Sequence, residues 1–134
     1  AAMMANLTMT GNASSVQDFQ GARAYQAARA GVEWGLYSVM QAPANASPAA
    51  ATDPLAGCFA SPATITAIPD FTVSVSCELY PTVGDYQEGS RNLRLYRIVA
   101  RATTTGPGGG IERELAALVE KCRDTASALA PFDC

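Results

Sequence analysis

Proline is absent from the first 41 residues, whereas seven of the eight prolines fall between Pro43 and Pro107. Proline removes a backbone donor and clashes with the preceding turn, so the proline-free stretch is where one long helix can run. Inside it Gly21, Tyr25, Ala28, Val32, Leu36 and Val39 follow at spacings of 4, 3, 4, 4 and 3, one continuous stripe at the helical period. Projected back, the stripe passes through Ser14 to Leu7 and Met3, so a helix over residues 1–41, roughly 60 Å long, is expected. Its middle, "TMTGNASS", collects poor helix formers and is expected to be helical but loosely held.

The stripe accounts for one side only. Phe19, Ala27, Ala30, Trp34 and Tyr37 lie on the other side of the wheel, among Arg23, Gln26 and Gln41. A small sheet covers one side of a long helix, not both. The stripe of Gly21, Tyr25, Ala28, Val32, Leu36 and Val39 is therefore expected to hold the sheet. Met3, Met4, Leu7, Phe19, Trp34 and Tyr37 are expected to form an assembly interface with other subunits.

After Met40 the Pro/Ala-rich run "QAPANASPAAATDPLAG" has no period and reads as a surface loop. "FTVSVSC", from Phe71 to Cys77, alternates strictly and reads as a half-buried strand with Phe71, Val73, Val75 and Cys77 on one face. "LRLYRIVARATTT", from Leu93 to Thr105, reads as a second strand with Tyr96, Ile98, Ala100 and Ala102 together. "GPGGG" is a turn, lacking the Lys of a phosphate cradle. Two readings compete for "IERELAALVEKC". A strand aligns Ile111, Leu115, Ala117 and Val119; a helix aligns Ile111, Leu115, Leu118 and Cys122 with better local propensity.

The 134 residues make one domain of ordinary size, divided by composition into residues 1–41 (helix) and 42–134 (loop and sheet). Histidine is absent, which removes the commonest general base, the usual partner of a Ser or Cys nucleophile and the commonest zinc ligand. No catalytic, cofactor-binding or metal-binding set is expected. Asp85 and Glu88 share a loop but fall short of a Ca²⁺ ligand set. The balance is mildly acidic, net −3, so nucleic acid is not an expected partner. The four cysteines, Cys58, Cys77, Cys122 and Cys134, are even in number and never spaced CxxC, which favours disulfides and an oxidising compartment. Of three possible pairings, Cys58–Cys77 with Cys122–Cys134 is preferred because each closes a short loop.

"DFQGARAYQAARAGVEWGLY", the Cys58-Phe59 pair, the alternating strand ending in Cys77 and "YRIVARA" together resemble MshP-type minor pilins of the mannose-sensitive haemagglutinin pilus, relatives of the PilX-like type IV minor pilins. The resemblance runs from about Gln17 to Val119 and is most specific from Gly21 to Trp34. It implies an α+β pilin-like fold, a long N-terminal helix packed on a small antiparallel sheet. It also implies a hydrophobic half of that helix upstream, which anchors the protein in the inner membrane before assembly, and removal of a short leader. It favours a strand from Ile111 to Lys121. The expected function is that of a structural minor pilin that enters or primes a type IV pilus. Its partners would be major and minor pilins, its globular part would be periplasmic before assembly and the filament extracellular. Two alternatives stand beside it: a minor pseudopilin of type II secretion, and a pilus-tip adhesin that stacks a glycan or surface on Tyr80 and Tyr86 in the loop from Tyr80 to Asn92.

Overall fold

The computed structural model describes residues 2–40, 55, 57–106, 110–124 and 126, with side chains of the helix described from Val16 onward. One helix, α1 (Ala2–Met40), precedes five strands: β1 (Ala63–Ile65), β2 (Phe71–Tyr80), β3 (Tyr86–Glu88), β4 (Arg91–Thr104) and β5 (Glu112–Asp124). All pairings are antiparallel, and β4 is the spine of the sheet. On one side β4 pairs with β2 (Val75↔Ala100) and, end to end with it, β3 (Tyr86↔Leu93). On the other side β5 runs along β4 from Arg91↔Asp124 to Thr103↔Glu112. β1 extends the sheet beyond β2 (Ala63↔Val75). The architecture is α+β, a helix on an antiparallel sheet.

The competition at Ile111 to Lys121 ends in a strand. As a helix the segment gains a few tenths of a kcal/mol per residue in propensity; as a strand it gives β4 a full ladder and sets Leu115, Ala117 and Val119 toward the core. The tight β3–β4 turn needs Gly89, whose φ of 60° a side chain disfavours.

One face of the sheet carries Phe71, Val73 and Val75 from β2 and Tyr96, Ile98, Ala100 and Ala102 from β4, all buried under α1. The other sheet face has no helix on it among the described residues. It mixes Leu95, Val99 and Leu118 with the ion pairs Arg97–Glu78 (3.0 Å) and Arg101–Glu114 (3.2 Å). That is the usual solution for an antiparallel sheet with one wet side.

The helix meets the sheet on a different meridian from the one its large apolar residues mark. Ala24, Ala27, Ala28 and Val39 are buried with Gly21, Gly31 and Gly35, while Val32 and Leu36 pack at the margin and Tyr25 is 46% exposed. Tyr25 therefore does not serve as a central packing residue, and Gly31 and Gly35, which lie off the sequence stripe, do. A Cβ at Gly31 would sit 2.6 Å from Val73 Cγ1 and 2.9 Å from Ala100 Cβ; at Gly35 it would sit 2.6 Å from Ile98 Cγ2. Backbone lies directly on strand side chains there, which only glycine permits.

The C-terminal end of α1 has no basic residue in its last turn. The cation comes instead from the sheet: buried Lys121 of β5 donates from Nζ to the carbonyl of Val39 at 3.1 Å. It satisfies an orphan carbonyl and neutralises the negative end of the helix dipole.

Candidate functional site

Two surfaces concern function: the outward side of α1, and the loops beside β3. On α1, Val16, Phe19, Tyr37 and Met40 are more than half exposed, Phe19 by 65% and Tyr37 by 64%. Trp34 is less free, because its ring packs edge-on against Phe59, centroids 5.0 Å apart at 69°. That contact is held from below by the Cys58–Cys77 disulfide, which ties the segment before β1 to β2. So of the expected interface residues the structure leaves Phe19 and Tyr37 open and commits Trp34 in part to its own chain. The side chains of Met3, Met4 and Leu7 lie outside the described residues.

A groove of about 460 Å³ opens along the N-terminal part of this side, between Phe19, Ala22 and Ala30 of the helix and Ile68, Pro69 and Phe71 of the turn into β2. Its rim is fixed by Arg23. The guanidinium lies 6.0 Å from the Phe19 ring centroid and 5.6 Å from that of Phe71, and Nη2 donates to Asp70 Oδ2 at 2.8 Å. Asp70 takes φ 67°, unusual for a residue with a side chain, while its carbonyl accepts from Thr105 N at 3.0 Å. The pair is exposed, so it positions the rim more than it stabilises the fold.

The loop carboxylates do not converge. Glu88 is exposed on β3. Asp85 is buried: Oδ1 lies 2.8 Å from Arg94 Nε, and Oδ2 accepts from Leu55 N at 2.9 Å. The Nε–Oδ1 approach is short but off the hydrogen-bond line, so it is an ion pair rather than an aligned hydrogen bond. Arg94 donates further from Nη1 to Leu55 O at 2.6 Å and from Nη2 to Gly84 O. Asp85 and Arg94 thus clasp the backbone of buried Leu55, a structural use of the carboxylate. No group of three or more potential metal ligands occurs among the described residues.

Tyr80 and Tyr86 stand opposite Leu95 and Leu93 and so share the helix-free face of the sheet, both well exposed. The Tyr80 hydroxyl donates to Glu78 Oε2 at 3.2 Å. Glu78 also accepts from Arg97, and these bonds, Arg97 first, hold its carboxyl below the ordinary carboxylate range.

Cys122 is disulfide-bonded, and Cys134, the partner expected for it, lies outside the described residues. The buried cations Arg94, Lys121 and Arg123 escaped the sequence reading. The signal was present: Lys121 and Arg123 continue the parity of Leu115, Ala117 and Val119, so a strand there must turn them toward the helix. Burial raises the pKa of Tyr96, which stands among these charges.

Fold and surfaces define a class: an α+β protein whose long helix α1 is fitted to its sheet by small residues and presents large apolar residues outward. Comparison with family models, with curated proteins and with solved structures finds no match for this chain. No described helix is long and apolar enough to cross a membrane.

Proposed function

We propose that the chain is a structural subunit of a filament, a minor pilin of the type IV, haemagglutinin-pilus kind, and that it performs no chemistry of its own. The observation that carries the reading is the division of α1. Its Gly21, Ala24, Ala28, Gly31 and Gly35 side is spent on the sheet, while Phe19 and Tyr37 on the opposite side bury little. Covering such side chains gains about 25 cal/mol per Å² of apolar surface, which favours packing against neighbouring helices. The partners in this reading are major and minor pilins. An upstream apolar half of the helix anchors the protein in the inner membrane until assembly, with the sheet in the periplasm, where the disulfide is stable.

The test is piliation in a strain lacking the gene, complemented with the wild-type chain or with the Phe19→Asp/Tyr37→Asp variant. Both residues are exposed, and thermal unfolding of the purified variant checks that it keeps the wild-type fold. Pili counted by electron microscopy should be lost in the deletion, return with the wild type and stay low with the variant. Normal piliation in the deletion strain overturns an assembly role. Loss of type II secretion instead identifies the pseudopilin relative of this reading.

A further inference from the structure

β5 carries its charges segregated by face. Glu112, Glu114, Glu120 and Asp124 occupy the even positions, and Arg113, Lys121 and Arg123 the odd ones. The odd positions face the helix: Lys121 and Arg123 are buried, and the Arg113 guanidinium stands 3.2 Å from where a Cβ on Gly21 would lie. The even positions face solvent, with Leu118, 72% exposed, and Ala116 between the acids. Arg101 of β4 reaches Glu112 at 3.5 Å and Glu114 at 3.2 Å, one cation shared by two carboxylates, so the row stays net negative.

The far edge of β5 pairs with no strand among the described residues, because β5 pairs only with β4. A strand edge that meets no other strand from Glu112 to Glu120 among the described residues is a template for strand addition unless something prevents it. A second copy adding antiparallel across a two-fold axis normal to the sheet must set residues of the same face opposite one another. On β5 every such register that pairs nine or more of its residues opposes like charges, and only the short seven-residue register centred on Leu115 does not. Bringing Ala116 onto Leu118 also brings Glu114 onto Glu120 and Arg113 onto Lys121. Shifting by two residues brings Glu112 onto Asp124 and Arg113 onto Arg123. Like charges directly opposite destabilise a ladder, and the symmetry makes each clash occur twice.

We propose that the open edge of β5 receives an extended segment of another protein, one with Lys or Arg at alternate positions on its solvent side around an apolar centre, and that its charge segregation disfavours pairing with a second copy of this chain along most of the strand. Such a segment sets cations opposite Glu112, Glu114 and Glu120 and apolar side chains opposite Ala116 and Leu118, with backbone hydrogen bonds supplying affinity and the charges specificity. The inference is independent of what α1 binds.

The probe is the peptide KTVTVTKTK, whose lysines fall opposite Glu120, Glu114 and Glu112 in antiparallel register, with ETVTVTETE as its charge-reversed control. Amide hydrogen exchange of the intact chain should show that the outward amides of β5 between Glu112 and Glu120, those not bonded to β4, exchange freely and become protected by the lysine peptide only. The Glu114→Lys/Glu120→Lys variant should lose affinity for that peptide about tenfold or more and gain affinity for the control. The single variant Glu114→Lys turns the two Glu114/Glu120 clashes of a symmetric dimer into attractions, so it should self-associate in sedimentation where the wild type does not. Thermal unfolding verifies that both variants fold, as substitution at exposed positions requires. Protection without peptide of the outward β5 amides, those not bonded to β4, equal binding of the two peptides, binding unchanged by charge reversal, or self-association of the wild type through β5 would each overturn the proposal.

Discussion

Gly31→Ala is the most direct test of how α1 meets its sheet. Taken as a helix substitution alone, it should stabilise, since Ala exceeds Gly by about 1 kcal/mol at an interior position. The new Cβ, however, falls 2.6 Å from Val73 Cγ1, 2.9 Å from Ala100 Cβ and 3.2 Å from Val75 Cγ2. Carbon atoms in contact sit about 3.5 to 4.0 Å apart. The β-branched Val73 is restricted in χ1, and the Cβ of Ala100 cannot rotate away, so relief requires moving α1 off β4. Overpacking of this kind costs about 1 to 3 kcal/mol, and contact with a Cβ that no rotamer change can move argues for the upper end. Subtracting the propensity gain leaves a net loss of about 2 kcal/mol. Gly35→Ala meets one very close atom, Ile98 Cγ2 at 2.6 Å, and should lose about 1 kcal/mol. Gly21→Ala meets only the mobile Arg113 guanidinium at 3.2 Å and should keep most of its gain. Urea unfolding of the three variants with disulfides oxidised gives the order, and an Ile98→Ala background should selectively relieve Gly35→Ala. If Gly31→Ala is as stable as Gly21→Ala, the close approach of helix and sheet is wrong.

Asp85→Ala strands buried Arg94 and leaves Leu55 N without its acceptor, so unfolding by denaturant should show a loss of about 3 to 5 kcal/mol. Asp70→Ala, which breaks only the exposed pair with Arg23, should cost about 1 kcal/mol or less, and equal losses would deny the clasp its role. Burial raises the Tyr96 pKa above its unfolded value of 10.0, so folding favours the neutral phenol. Its contribution is complete below pH 10.0 and is lost as pH rises through the folded pKa. Alkaline unfolding should therefore begin later in Tyr96→Phe, and an unchanged alkaline limb refutes this. Replacing Cys58 and Cys77 by Ser should lower stability by about 3 kcal/mol and, with Phe59 released, shift the emission of Trp34, the one tryptophan, to the red. Unshifted emission would show that Phe59 is held by other contacts.

Much of the sheet was legible because its signals are local. Alternation in "FTVSVSC" and "YRIVARA" depends on nothing but the pleat, and the faces it marks, Phe71, Val73, Val75 and Tyr96, Ile98, Ala100, Ala102, are the buried ones. The helix was legible as an element but not in phase. A wheel weighted by apolar size draws its axis through Tyr25 and Leu36, whereas a helix pressed on a sheet places its smallest residues at the centre and its larger ones at the rim. Read for small residues, Gly21, Ala24, Ala28, Gly31 and Gly35 would have given the true face. β5 resisted for the opposite reason. Its local propensity is helical, and only pairing with β4, information held elsewhere in the chain, makes it a strand.

The buried charges share one cause with these misreadings. Lys121, Arg123 and Arg94 look like solvated positions when each is judged by residue type, and become inward-facing once strand parity is fixed. Parity then assigns them partners that sequence distance conceals: Val39 O lies 82 positions from Lys121, and Leu55 O lies 39 from Arg94. One contact holds the end of α1, where the Pro/Ala-rich connection begins, and the other holds Leu55 within that run. The same basic residues that secure the inner face of β5 leave its outer row acidic. Holding the helix end and disfavouring self-pairing along most of the edge are thus two consequences of a single arrangement, bases on odd positions and acids on even ones.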